Sequence, residues 1–416
     1  QTCALPISPC QRLAEMKWEE NKMKEKNPQD HVIFKISLLS ISIFLMMAPA
    51  IAPALPLMYH AFPGIDKAGV EMLSTIPNIG IVIGLLISPF LIKLMGEKPT
   101  IITGLVITLL AGTFPMYATA YTPILISRFL IGAGIGLFNS LAVSLIPQFY
   151  SSNEEKLATM VGYQNVMGSL GAALASFLIS WLLTISWHAA FAIYFLVIPV
   201  LILFILFVPL PSSRQKKPDK ARKTKEKQTI NGKVILIAIL MFFIFLFYMP
   251  MSFKIPALVV QEKLGTVSEV SALTGVLNLV GIPIGASFGF FFKKLHDKIF
   301  PLGFGLVAIG FFIIALASNF VMLSLGCLIL GIGFGLGVPY MYNWLDWSAP
   351  ANSVNLATTI VLVLVNVGCA ISPMIINAVT SSAKMGLLIS AIFFACFSIY
   401  AIIHYLRVHK KQSATA

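Results

Sequence analysis

Charge is what this sequence has least of. Only 11% of its 416 residues are Asp, Glu, Lys or Arg, and the acids are the scarcer sign, 16 against 29 basic residues. A soluble domain carries roughly 25% charge. With 58% apolar residues and a mean hydropathy of +0.89, a water-facing surface is excluded, and so is disorder. Cysteine is scarce too. Cys3, Cys10, Cys327, Cys369 and Cys396 are the five; three lie inside apolar runs, which excludes a disulfide scaffold. Catalytic signatures are missing. There is no Walker A motif, no H-E-x-x-H and no cysteine pair at zinc spacing, and the six histidines are scattered. Neither an enzyme nor a cofactor or metal is expected.

What is present is a series of long apolar runs. About 20 such residues cross ~30 Å of hydrocarbon as a helix. Twelve runs qualify: 34–58, 70–94, 99–119, 122–147, 157–182, 187–209, 233–258, 269–292, 300–318, 320–346, 354–378 and 385–406. They are continuous rather than alternating, which excludes a membrane β-barrel. The expected class is therefore an all-α membrane protein of twelve transmembrane helices. Residues 1–33 form an N-terminal tail. Gln1–Ile7 reads as translated sequencing-adapter DNA, which puts the natural start at Met16 or Met23.

The basic residues set an orientation. With the N-terminus inside, 24 of the 29 fall on inner segments, and only Lys67, Lys263 and Lys384 fall on outer loops. Both termini are thus expected in the cytoplasm, and the net charge of +13 needs no nucleic acid. The basic stretch 210–232 reads as a cytoplasmic linker between six-helix bundles at 34–209 and 233–406, with 407–416 a cytoplasmic tail.

The halves match at an offset near 200. Leu73, Ser74, Asn78 and Lys93 in the second run correspond to Leu273, Thr274, Asn278 and Lys293 in the eighth. Pro56 corresponds to Pro256. Gly132, Gly134 and Gly136 correspond to Gly331, Gly333 and Gly335. Such repeats build transporters whose solute site lies between the halves.

Twelve runs, a six-plus-six repeat and a basic central loop resemble the Major Facilitator Superfamily. The loop after the second run, Pro89-Phe-Leu-Ile-Lys93-Leu-Met-Gly96-Glu97-Lys98, is similar to that family's G-x-L-x-D-R-x-G-R-K. Gly96 and Lys98 match and are the gating-loop candidates, while Lys93 and Leu94 stand where the family has its acid and first arginine. Arg128-Phe-Leu-Ile-Gly132-Ala-Gly134-Ile-Gly136 is similar to R-x-x-x-G-x-G-x-G. In related drug exporters this arginine is tied to proton transfer or substrate binding. Gly168-Ser-Leu-Gly171 resembles the antiporter element G-P-x-x-G-G without its proline and later glycines. Trp187-His-Ala-Ala-Phe191 resembles W-R-x-x-F. The implied fold is two pseudo-symmetric six-helix bundles.

A charge inside a span needs a reason. Arg128 and Lys254 are the candidates for substrate binding or coupling; snorkelling to headgroups, or a bond to a carbonyl, is the structural alternative. Asn78, Asn278 and Asn165 join them as polar candidates, with Asn139, Gln164, Asn343 and Asn366 as further amides that bond between helices or line a cavity. Glu71 and Glu269 read as carboxylates that open helices and gain from the helix dipole. Asp346 reads as interfacial. Gly132, Gly134, Gly136, Gly168, Gly171, Gly331, Gly333 and Gly335 read as close-packing positions that also let the halves rock.

The expected function is secondary transport of a small organic solute by alternating access, with proton-linked efflux first and uptake or facilitated diffusion of an organic anion as the alternative. A receptor or membrane-embedded enzyme is the competing class. The expected partners are the lipid bilayer, the solute and protons, with the chain a monomer in the cell membrane.

Overall fold

The structure, a computed structural model, describes residues 31–150, 154–210, 229–350 and 352–413. The suspected adapter sequence and positions 211–228 of the linker lie outside them. Among the described residues all regular structure is helical. The first span is broken: α1 (Val32–Ser40), 3-10 turns at Ile41–Met46 and Ala48–Ala54, then α2 (Leu55–Ala61). Its two parts meet at 47° around Met47. Pro49, Pro53 and Pro56 bring no N–H to the ladder, so an unbroken α-helix cannot form there. Next come α3 (Lys67–Thr75) with α4 (Pro77–Met95), α5 (Glu97–Thr113), α6 (Tyr121–Tyr150) and α7 (Glu154–Leu182). A 3-10 segment, Ala189–Leu196, leads into α8 (Val197–Phe207) and closes the first half.

The second half repeats the plan. A span interrupted at Met249, α9 (Gly232–Tyr248) with α10 (Pro250–Gln261), answers the broken first span. Then follow α11 (Val267–Leu295), α12 (Ile299–Ala315), α13 (Phe320–Ser348), α14 (Val354–Val379) and α15 (Ala383–Ser413). Among the described residues, ten stretches are long and apolar enough to cross a membrane, eleven with the bent Val32–Ala61 pair. One stretch, Val267–Ala315, runs for 49 residues. It turns at His296, whose φ is 46°, into two separate helices, α11 and α12. Dividing it there gives the twelve spans expected.

Each half has its own apolar core. One runs from Phe34 to Val208 and the other from Val234 to Ala401; Phe253 and Ile376 reach across into the first. In the first half α6 is central, with α4 and α5 packed on it. In the second, α12 packs between α13 and α15. The halves touch along two main seams, α7 against α11 and α3–α4 against α14, and the broken first span also meets α10 and α11. The repeat exchanges these seams, because it relates the second span to the eighth and the fifth to the eleventh.

The glycine series falls within the halves. A Cβ at Gly132 would sit 1.9 Å from the Pro77 carbonyl oxygen, one at Gly136 2.4 Å from that of Ile81, and one at Gly171 2.2 Å from that of Ile43. Gly134 faces Thr108, Gly333 faces the Gly303 carbonyl, and Gly335 faces Ile284. Gly168 is in ordinary contact with Met46, and Gly331 faces open space. The tight positions bring backbone against backbone inside one half, so they make each half stiff rather than lubricating the seam between halves.

Candidate functional site: buried charges between the halves

Two faces of the helix bundle are told apart by composition. One carries the helix ends near Lys93, Lys98, Lys233 and Lys293, the basic-rich face. The other carries those near residues 61–67, 182–188, 261–267 and 379–383, the basic-poor face.

Near the basic-poor face a charged pair joins the halves. Lys254 Nζ on α10 lies 2.8 Å from Glu71 Oε1 on α3, and neither side chain is more than 1% exposed. The ammonium also donates to Asn377 Oδ1 on α14 at 2.8 Å. Asn377 Nδ2 donates to Glu71 Oε2, and the Tyr59 hydroxyl on α2 donates to Glu71 Oε1 at 2.9 Å. Both carboxylate oxygens and two ammonium protons are thereby partnered. A buried pair of this kind is tolerated because hydrogen bonds reach both carboxylate oxygens and the ammonium.

This geometry removes one alternative for Lys254 and changes the reading of Glu71. Lys254 does not snorkel; its ammonium turns inward to Glu71. Glu71 does not serve the helix dipole either. Asp66 caps α3 by accepting from the Gly69 amide at 2.9 Å, and Glu71, a turn further on, is released to reach the other half. Glu269 does act at its helix start. It forms a capping box with Thr266, accepting from the Thr266 amide at 2.7 Å.

Arg128 on α6 is wholly buried. Its Nε donates to the Leu73 carbonyl at 2.8 Å, Nη1 to the Tyr194 hydroxyl at 2.8 Å and Nη2 to the Ala48 carbonyl at 2.5 Å. The Phe191 ring lies 5.8 Å below the guanidinium. Leu73 is the residue whose helical partner would be the amide of residue 77, and Pro77 has none. Ala48 lies at the break in the first span. The arginine therefore satisfies a carbonyl that Pro77 leaves open and joins three spans at their bends. An analogous gap exists in the second half, where Pro250 cannot bond the Leu246 carbonyl, and Ser372 Oγ fills it at 2.6 Å.

Three further bonds cross the seams at the same end. Thr75 Oγ1 donates to the Ala370 carbonyl at 3.1 Å. Ser180 Oγ donates to the Ser268 carbonyl and Ser271 Oγ to the Ser176 carbonyl, both at 2.7 Å. This last pair is reciprocal between α7 and α11. Toward the basic-rich face the same two helices part. A cleft of about 570 Å³ opens there, with Gly162, Tyr163 and Val166 on one wall and Gly281, Ile282 and Gly285 on the other. A Cβ at Gly162, Gly281 or Gly285 would meet nothing within 4 Å. The halves thus touch at the basic-poor end and splay at the other.

The remaining candidates lie apart from this cluster. Asn78 Nδ2 donates to the Thr75 carbonyl at 2.8 Å, one turn back on its own span. Asn278 is half-buried on α11. Asn165 lies on α7, and its side chain is outside those described. Gly96 ends α4 with φ 94°, a left-handed turn that favours glycine. Lys98 Nζ donates to the carbonyls of Ile205 and Val208 at 2.8 and 2.9 Å, capping the C-terminal end of α8 within its own half. His188 stacks on Trp187, ring centroids 3.5 Å apart.

Sequence reasoning did not find Glu71, Tyr59, Tyr194 or Asn377. The available signal was chemical: a lone lysine at the depth of Lys254 requires an acid, and Glu71 is the one acid away from the end turns of a span.

Helices broken at repeat-related positions, two swapped seams and a buried charge cluster between the halves define a two-bundle membrane carrier. A family model described as the Major Facilitator Superfamily matches residues 37–373. The chain belongs to that family: it is a multi-pass membrane transporter and not an enzyme. It is 25% identical over 394 residues to the probable nitrate transporter NarT of Staphylococcus haemolyticus, covering 92% of this chain and 98% of that one. It is 23% identical over 331 residues to the protein of the same name from Staphylococcus epidermidis, covering 78% and 83%. Its fold is similar to that of a solved peptide transporter of the POT type bound to alafosfalin (TM-score 0.72, 13% identity, 92% and 96% covered). It is also similar to the xylose transporter XylE from E. coli, solved in an inward open conformation (TM-score 0.68, 15% identity, 88% and 95% covered).

Proposed function

We propose that this chain is an alternating-access secondary transporter in which residues 34–209 and 233–406 rock as two stiff bundles about a central path. A monomer suffices because each half supplies one wall. With both termini and the basic-rich face in the cytoplasm, the described arrangement is inward-facing.

The observation that carries this reading is the Lys254–Glu71 pair, 2.8 Å across the seam. It can hold the outer end shut only while both groups are charged. A proton on Glu71 removes the anion and leaves Lys254 facing a neutral acid, which weakens the lock. The carboxylate is therefore the coupling group, and proton-linked efflux is the mode of transport this arrangement serves. Low outer pH favours opening, and high pH favours closure, since the ionised carboxylate is the partner that closes.

A second reading, uptake of an anion, has the names of the relatives in its favour. Against it stands the burial of Arg128 and Lys254, which face protein partners in the described arrangement.

The test uses proteoliposomes containing a pH dye, with no starting gradient. An uncharged amphiphilic dye, Nile red, or sodium nitrate is added outside. Interior alkalinisation on Nile red entry supports antiport. Acidification identifies symport, and entry without any pH change rejects proton coupling. Glu71→Gln is expected to abolish the pH change.

A further inference from the structure

The reading above leaves the solute open, and the distribution of charge narrows it. Among the described residues, taking the spans as Lys67–Met95, Tyr121–Tyr150 and Gly232–Gln261, the basic side chains beyond the end turns are Arg128 and Lys254, and the acid is Glu71. In the described arrangement all three have partners. The Arg128 guanidinium spends Nε, Nη1 and Nη2 on two carbonyls and a hydroxyl, and it is wholly buried. Lys254 is neutralised by Glu71.

An anion entering the cleft between α7 and α11 would leave water and find no basic side chain among the residues that line it, a heavy penalty in a medium of low dielectric. A cation would find no free carboxylate. What the splayed end offers is different. Its walls are glycine, valine and isoleucine, with the hydroxyls of Thr159, Tyr163 and Ser169. Half-buried amides, Asn139, Asn278, Asn343 and Asn366, supply donors and acceptors within the spans. This is a lining for apolar surface with a few hydrogen bonds.

We infer that the solute is an uncharged, largely apolar molecule with hydrogen-bonding groups, and that nitrate is not carried. The inference rests on the alternating-access reading, so its test must separate the two.

Full-length protein is reconstituted, and two properties are measured on the same vesicles. The first is flux of Nile red, of benzamide and benzoate (one scaffold, neutral and anionic) and of nitrate. The second is alternation itself, read with the double variant Ser180→Cys/Ser268→Cys. Its disulfide forms when α7 and α11 touch at the basic-poor end, and its rate of formation falls as that end opens. The expected result is protein-dependent flux of Nile red or benzamide, blocked by the disulfide and restored by reduction, with nitrate and benzoate no faster than in empty liposomes. Nitrate or benzoate flux above that background overturns the inference. So does failure of both neutral probes while the cysteine pair still alternates. If the pair never alternates, the transport reading fails on its own measurement, and the solute inference falls with it.

Discussion

Glu71 and Lys254 are 183 residues apart in the chain and 2.8 Å apart in space. One belongs to each half, and together with Asn377 and Tyr59 they seal the basic-poor end of the seam. Removing one partner leaves the other charged and buried, which costs about 3–5 kcal/mol in buried pairs. Lys254→Met and Glu71→Leu should each lower thermal stability by that order. The double variant should recover most of the loss, because no charge remains. A double-mutant cycle on melting in detergent checks this; strictly additive losses would sink the claim that the two groups form one unit.

Arg128 should act as a fork and not as a point charge. Arg128→Lys keeps the charge but cannot reach Leu73, Tyr194 and Ala48 together. A loss of about 3 kcal/mol or more is expected from several charged hydrogen bonds removed in a buried setting. Pro77→Ala supplies an amide for the Leu73 carbonyl. In that background, the cost of Arg128→Lys should shrink. If it is unchanged, the arginine is not compensating for the proline.

Glycine positions that looked alike in sequence should separate sharply. Gly132→Ala places a methyl 1.9 Å from the Pro77 oxygen, so α4 and α6 must move apart; a severe loss of folded protein is expected. Gly331→Ala meets open space and should be neutral or slightly stabilising, since alanine favours the helix by about 1 kcal/mol. Size-exclusion yield and melting temperature report both, and equal effects would contradict the packing described here.

These contrasts mark what the sequence makes legible. Span positions and the repeat follow from the one-dimensional pattern, because hydropathy and helix length are local properties. Lys254 and Arg128 stand out for the same reason, as charges in apolar runs. Their partners do not. Glu71 sits four residues into its helix, where an acid has an ordinary explanation in the dipole, and only the fold reveals that Asp66 already fills that role. The acceptors of Arg128 are backbone carbonyls, to which a sequence gives no sign except through Pro77, four residues after Leu73. Gly331 and Gly333 have the same spacing in both halves, yet only one touches a neighbouring helix.

Lys98, in the first turn of α5, should prove structural. Lys98→Met removes the bonds to the Ile205 and Val208 carbonyls, two unsatisfied C-terminal groups of α8. A loss of about 1–3 kcal/mol in stability is expected, with the pH dependence of flux unchanged. A shifted pH profile in this variant would instead place the start of α5 in the gate.

The central claim is that protonation of Glu71 exchanges closure at one face for closure at the other. Spin-label distances measure it directly. One pair is placed across the cleft, at Tyr163 and Ile282, and one at the opposite face, at Thr184 and Lys263. In the Glu71→Gln background, which mimics the protonated acid, the Tyr163–Ile282 distance should shorten while the Thr184–Lys263 distance lengthens. Distances that stay fixed in both pairs, or change in the same direction, would contradict the account.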